Sequence, residues 1–120
     1  MRNITKALAL GGLLLMTSPV KAEKVLSSWY DYGPLTANGE KFDKNSLTAA
    51  HKTLPFGTLL RVTYKDKSIV VRINDRGPFI RGRTLDLTIG AARQIGCVEI
   101  GLCWVDIEIV GKVDPPVKKK

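Results

Sequence analysis

Few side chains in this sequence are equipped for catalysis, and those that are stand far apart. His51, in TAAHKTLPFG, is the single histidine among 120 residues. A lone histidine serves as readily in a structural role as in proton transfer. Ser27 and Ser28 have no histidine near them in sequence and no nucleophile-elbow pattern occurs, which argues against a serine hydrolase. One histidine and two closely spaced cysteines are too few ligands for a zinc site, so no metal or other cofactor is expected. Carboxylates remain. Asp75 lies just past Ile73 in VRINDRGPF, flanked by Asn74, Arg76, Gly77, Pro78 and Phe79. Apolar neighbours would raise its pKa, and Arg72 or Arg76 would lower it. Asp75 therefore reads either as a turn residue partnered by arginine or as an acid delivered to a cleft. Glu40, in ANGEKF, can be a merely solvated loop residue. Trp29 and Tyr30, near the same loop, are core residues or a platform for a sugar ring.

The elements that must position these residues are short strands and turns. Lys24–Tyr32 reads as a first strand, and Leu35–Ser46, with its Asn-Gly signal, as a long surface loop. Leu47–Thr53 enters the turn Leu54-Pro55-Phe56-Gly57. Thr58–Tyr64 alternates with Leu60, Val62 and Tyr64 on one face. Lys65-Asp66-Lys67 is a hairpin turn, and Ser68–Ile73 places Ile69, Val71 and Ile73 together. Arg81–Leu87 is another strand. Thr88 can cap a helix over Ile89–Ile95 that Gly96 ends. In Trp104–Val110, Val105, Ile107 and Ile109 alternate with Asp106 and Glu108. One helix among about six short strands predicts a mainly β domain over residues 23–110, a small barrel with a closed edge. Residues 111–120, GKVDPPVKKK, read as a disordered basic tail.

Before this domain, Arg2 and Lys6 precede the apolar run Ala7–Met16, and Val20 and Ala22 stand where signal peptidase reads. Residues 1–22 are expected to be a cleavable signal peptide, which places the protein in the periplasm or outside the cell. The run is about half the roughly 20 residues of a membrane span, and no cysteine follows it, so neither a span nor a lipid anchor is expected. The formal charge is +8. Arg2, Lys6 and Lys21 carry three of those charges and Lys118–Lys120 three more, which leaves little on the body. No zinc-finger, helix-turn-helix or nucleotide-loop pattern is present, so no nucleic-acid partner is expected. A mildly positive protein suits an anionic partner such as a bacterial cell wall. Cys97 and Cys103 can pair after export, remain two buried thiols or bind metal; the disulfide is the favoured reading.

Three segments then occur in order: TANGE, TAAHKTLPFGT and RINDRGPF. Together with the sequence around them, from about Leu26 to Val110, they resemble the RlpA-like proteins, bacterial envelope proteins with a six-stranded double-psi β-barrel related in fold to expansins. The resemblance implies lytic transglycosylase activity on peptidoglycan glycan strands. Such an enzyme cleaves the β-1,4 bond between N-acetylmuramic acid and N-acetylglucosamine and leaves a 1,6-anhydro end. It implies Glu40, His51 and Asp75 as the functional residues. Asp75 would donate a proton to the leaving oxygen and then accept one from the sugar's 6-hydroxyl. That nucleophile is intramolecular, so no second carboxylate is needed to hold a water. Glu40 and His51 would orient the sugar or tune Asp75, Asn74 and Arg76 would fix its loop, and Trp29 or Tyr30 would stack on a ring. Two other functions stay open. An expansin-like module would bind polysaccharide without cleaving it, and a hydrolase would use Glu40 as its second carboxylate. A monomer is expected in each case.

Overall fold

The period-2 patterns of the sequence become the inner and outer faces of a closed barrel. The computed structural model describes residues 22–114. Its strands are β1 (Glu23–Tyr30), β2 (Thr48–His51), β3 (Thr58–Tyr64), β4 (Lys67–Asp75), β5 (Leu85–Thr88) and β6 (Cys103–Lys112), with one helix, α1 (Ile89–Ile95). Their order around the barrel is β1-β5-β2-β4-β3-β6, and β6 pairs back onto β1. Two pairs are parallel, β1 with β5 and β2 with β4, and the other four are antiparallel. Closure satisfies the edges that short strands would otherwise leave open. The expected six-stranded barrel with one short helix is the observed architecture.

Inside, Leu60, Val62, Val71, Ile73, Leu85, Leu87 and Val105 are essentially without solvent exposure. Each such side chain contributes roughly 1.5–3 kcal/mol through burial. α1 closes one side with Ala91, Ala92 and Ile95. Thr88 Oγ1 accepts the Ala91 N–H (3.2 Å) at the helix start and donates to Ser46 O (2.6 Å). Gly96 ends the helix in the left-handed region at φ 81°. Gly90 is where the 41–46 loop crosses the helix: its N–H meets Lys44 O at 2.8 Å, and a Cβ there would come within 2.7 Å of Asn45 Cα. Just beyond α1 the Cys97 and Cys103 sulfurs are bonded, both side chains buried.

The structure differs from the sequence reading at several strand ends and at one core position. Arg81–Thr84 is a turn, closed by Arg83 N–H to Ile80 O (3.1 Å), and β5 starts only at Leu85. β4 runs on through Asn74 and Asp75. β6 continues to Lys112, and Val113 donates to Gly57 O at 2.8 Å, so the start of the segment read as tail is part of the barrel. Ile109, on the inward alternation, stands at a barrel end beside His51 and Leu54 and is 42% exposed. The expected signal peptide, residues 1–21 of it, and tail residues 115–120 lie outside the described residues.

β4 carries an irregularity near its C-terminal end. Thr48 pairs with Arg72 and Ala49 with Ile73, but Ala50 pairs with Asp75, so Asn74 is an extra residue. A bulge of this kind re-aims the side chain that follows it. Without it Asn74 would stand opposite Ala50, and Asp75 would move on toward His51.

Candidate active site

Asp75 ends β4 at the floor of an open cavity of about 390 Å³. Three donors reach its carboxylate. Tyr30 Oη donates to Oδ2 at 3.0 Å, and the N–H groups of Ala37 and Arg76 donate to Oδ1 at 2.8 and 2.9 Å. The carboxylate accepts all three. Burial, and then the charge of Asp75, push the Tyr30 hydroxyl far above its usual range, so it stays a donor. Its ring packs on Phe42, with centroids 4.9 Å apart. Gly77 and Pro78, joined by a cis peptide bond, turn the chain away from the carboxylate.

Glu40 does not share that cavity. It faces Arg72, which binds it with both terminal nitrogens (Nη1–Oε2 2.6 Å, Nη2–Oε1 3.1 Å), while Asn74 and Asn38 donate at 3.0 Å each. These donors, Arg72 first, hold its carboxyl down to about 2. Glu40 is therefore the anchor of the 34–42 loop. Asn38 N–H also bonds Asn74 O at 3.2 Å. Fixed in this way, the loop presents the Ala37 N–H to Asp75. Glu40 is not placed to hold a water opposite Asp75, which removes the geometry the hydrolytic reading needs of it.

His51 is also apart from Asp75, in a separate cavity with Glu23, Leu60 and Ile107. Its Nδ1 accepts the N–H groups of Thr53 and Leu54, both at 3.1 Å, so the neutral ring carries its proton on Nε2. Burial, helped by the charge of Arg76, lowers its pKa. It shapes the turn after β2. Arg76 fastens the same turn, donating Nη1 to His51 O (3.1 Å) and Leu54 O (2.9 Å), with its guanidinium 4.0 Å from the Phe56 ring centre. Asn74 is buried and joins the Glu40 network. Of the sequence candidates, then, Trp29, Tyr30, Asp75 and Arg76 line the cavity, and Glu40, His51 and Asn74 support it from behind. Trp29 is partly buried, with Nε1 donating to Val98 O (3.1 Å), which limits how much ring face it can offer.

Sequence reasoning missed two parts of the site. The first is its rim: Tyr32 and Phe79 are 81% and 80% exposed, and with Ile80 they border the cavity as unburied ring faces. Phe79 is thus not an apolar cover for Asp75. The second is Asp86, from the middle of the buried run LDLT, which shares the cavity with Asp75 and accepts a bond from Ser28 Oγ at 3.1 Å. Burial pushes its carboxyl up to about 6. A single carboxylate inside a buried strand was the available signal. Among the described residues no cluster of side chains suits a metal ion, and no helix is long and apolar enough to cross a membrane.

The chain has relatives in both sequence and fold. The profile of the lytic transglycolase family matches residues 22–107. A probable endolytic peptidoglycan transglycosylase RlpA of Synechocystis is 54% identical over 90 residues, covering 71% of this chain and 28% of its own. The endolytic peptidoglycan transglycosylase RlpA of Vibrio cholerae is 50% identical over 99 residues, with 78% and 37% covered. The chain thus spans only about a third of the length of these curated relatives. In fold it is similar to a Streptomyces papain inhibitor (TM-score 0.65, 19% identity, covering 79% of this chain and 100% of that one). It is also similar to a Clavibacter michiganensis expansin variant in complex with cellohexaose (TM-score 0.64, 17% identity, 80% and 54% covered). With a matching profile across nearly the whole barrel and relatives at half identity, the chain belongs to the RlpA-like lytic transglycolase family.

Proposed function

We propose that the protein is a lytic transglycosylase that acts on peptidoglycan glycan strands outside the cytoplasm, as a monomer. It breaks the β-1,4 bond between N-acetylmuramic acid and N-acetylglucosamine and closes a 1,6-anhydro ring on the muramic acid. The observation that carries this reading is the Asn74 bulge, which aims Asp75 into the open cavity among three donors. A carboxylate so held can take the 6-hydroxyl proton as that oxygen attacks the anomeric carbon. The nucleophile belongs to the substrate, so no activated water is needed, and the intramolecular attack has the advantage of proximity. Tyr32 and Phe79 suit stacking on sugar rings at the rim. The names of the relatives point to the same substrate.

A second reading is a glycan-binding module without cleavage. The exposed rim rings favour it, as does the fold shared with an expansin solved with a cello-oligosaccharide. Digestion of purified peptidoglycan, followed by mass spectrometry of the soluble products, separates the readings. Muropeptides lighter by one water than hydrolytic products, and absent with Asp75→Asn, are expected. Reducing-end products would mean a hydrolase. Retention on insoluble wall with no release would mean a binding module.

A further inference from the structure

Four residues form one row across four neighbouring strands. Ser28 on β1 registers with Asp86 on β5, Asp86 with Ala50 on β2, and Ala50 with Asp75 on β4. Two strand spacings separate the aspartates, which puts their Cα atoms about 10 Å apart. Only the Ala50 methyl stands between them, and all four residues line the same cavity. The surroundings of the two carboxyl groups differ. Asp75 receives three donors, whereas Asp86 receives one, from Ser28.

We propose that Asp86 is the acid of this site, delivering its proton to the departing glycosidic oxygen, while Asp75 is the base; this rests on the lytic reading above. The sequence reading gave both proton steps to Asp75. In the divided form, the Asp86 proton moves to the leaving oxygen as the bond from the anomeric carbon to that oxygen breaks. The 6-oxygen of the same sugar bonds to the anomeric carbon, and its proton passes to Asp75. Nothing is added or lost overall, and exchange with solvent through the open cavity returns the proton from Asp75 to Asp86. Such a division requires two carboxyl groups whose environments set them apart. Burial and the negative charge of Asp75 favour the protonated form of Asp86, against the opposing pull of the Ser28 hydroxyl and of Arg83 at the cavity wall. An acid retained near neutral pH is what a poor leaving group needs.

The test compares Asp86→Asn and Asp75→Asn on peptidoglycan and on a nitrophenyl β-glycoside of a muramic-acid disaccharide, whose leaving group departs without a proton. Asp86→Asn should be at least about 100-fold slower on peptidoglycan and close to wild type on the nitrophenyl substrate, where its basic pH limb should vanish. Asp75→Asn should be slow on both. Wild-type peptidoglycan turnover by Asp86→Asn, or equal loss on both substrates with the fold intact, would overturn the assignment. Should Asp86→Asn not fold, Ser28→Ala serves: without its donor the basic limb should move to higher pH, and an unmoved limb overturns the proposal. A wild-type protein that releases no anhydro product would instead overturn the lytic reading itself, and this assignment with it.

Discussion

Tyr30 Oη donates to Asp75 Oδ2 at 3.0 Å, joining the end of β1 to the end of β4 across 45 positions of sequence. The phenol supplies one of only three donors on the carboxylate, and its ring is held independently by Phe42. Tyr30→Phe should therefore leave the barrel intact. A hydrogen bond to a charged group contributes about 1.5–3 kcal/mol. On the role proposed for Asp75, the variant is expected to lose roughly 10- to 100-fold in kcat with KM little changed, since the lost contact is to that carboxylate and not to the sugar. Steady-state release of soluble product would show it.

Glu40 acts on Asp75 at one remove. Glu40→Gln should weaken the bond from Arg72 and free the 34–42 loop, so that the Ala37 N–H no longer rests on Asp75. The Ala37 amide resonance should shift and its exchange quicken while the barrel amides stay protected. Acid should do the same to the wild type. Glu40 is held at about 2 against an ordinary 4.5, so its contribution is complete above about pH 4.5 and is lost as pH falls through about 2. A loop that stays ordered well below pH 2 would contradict this.

Asp86 has the opposite sign. Its folded-state pKa, about 6, lies above the ordinary 3.8, so it favours the fold fully below pH 3.8, and that advantage is lost as pH rises through 6. Asp86→Asn should raise the melting temperature above pH 6, with the gain shrinking toward pH 4. The shift corresponds to at most about 3 kcal/mol. Thermal unfolding of both proteins across this range measures it.

Tyr32 and Phe79 expose most of their surface, so Tyr32→Ala and Phe79→Ala should change stability by less than about 0.5 kcal/mol. If the rings stack on sugars, each variant should weaken retention on insoluble peptidoglycan several-fold, by pelleting assay, because a stacked aromatic contributes about 1 kcal/mol.

The barrel was legible because its strands alternate where they are half-buried. Leu60 and Val62, or Val71 and Ile73, announce their faces directly. Thr88 and Gly96 marked both ends of α1 by cap chemistry that is local in sequence. Asp75 was legible as a candidate from its neighbours, and its family motif named it. The remaining features depend on pairings between distant strands. Nothing in VRINDRGPF reveals that Asn74 is supernumerary, since a bulge is defined by the partner strand. Asp86 looked like one polar residue in an apolar strand, because its cavity is formed by β1, β2 and β4. Glu40 and His51 were grouped with Asp75 by motif, whereas the fold sends them to other cavities, where they brace the loops that meet at it.

The extra residue at Asn74 makes the site a matter of counting. Along β4 the core side chains can be exchanged for others of similar size and the barrel will still close. Let Asn74 fall into the regular ladder, however, and it takes the place opposite Ala50, so that Asp75 steps out of line with Ala50 and Asp86 while Ile73 and everything before it stay where they were. The pairing at that point, as much as the identity of the residue, decides whether a carboxylate of β4 stands in the row of Ala50 and Asp86.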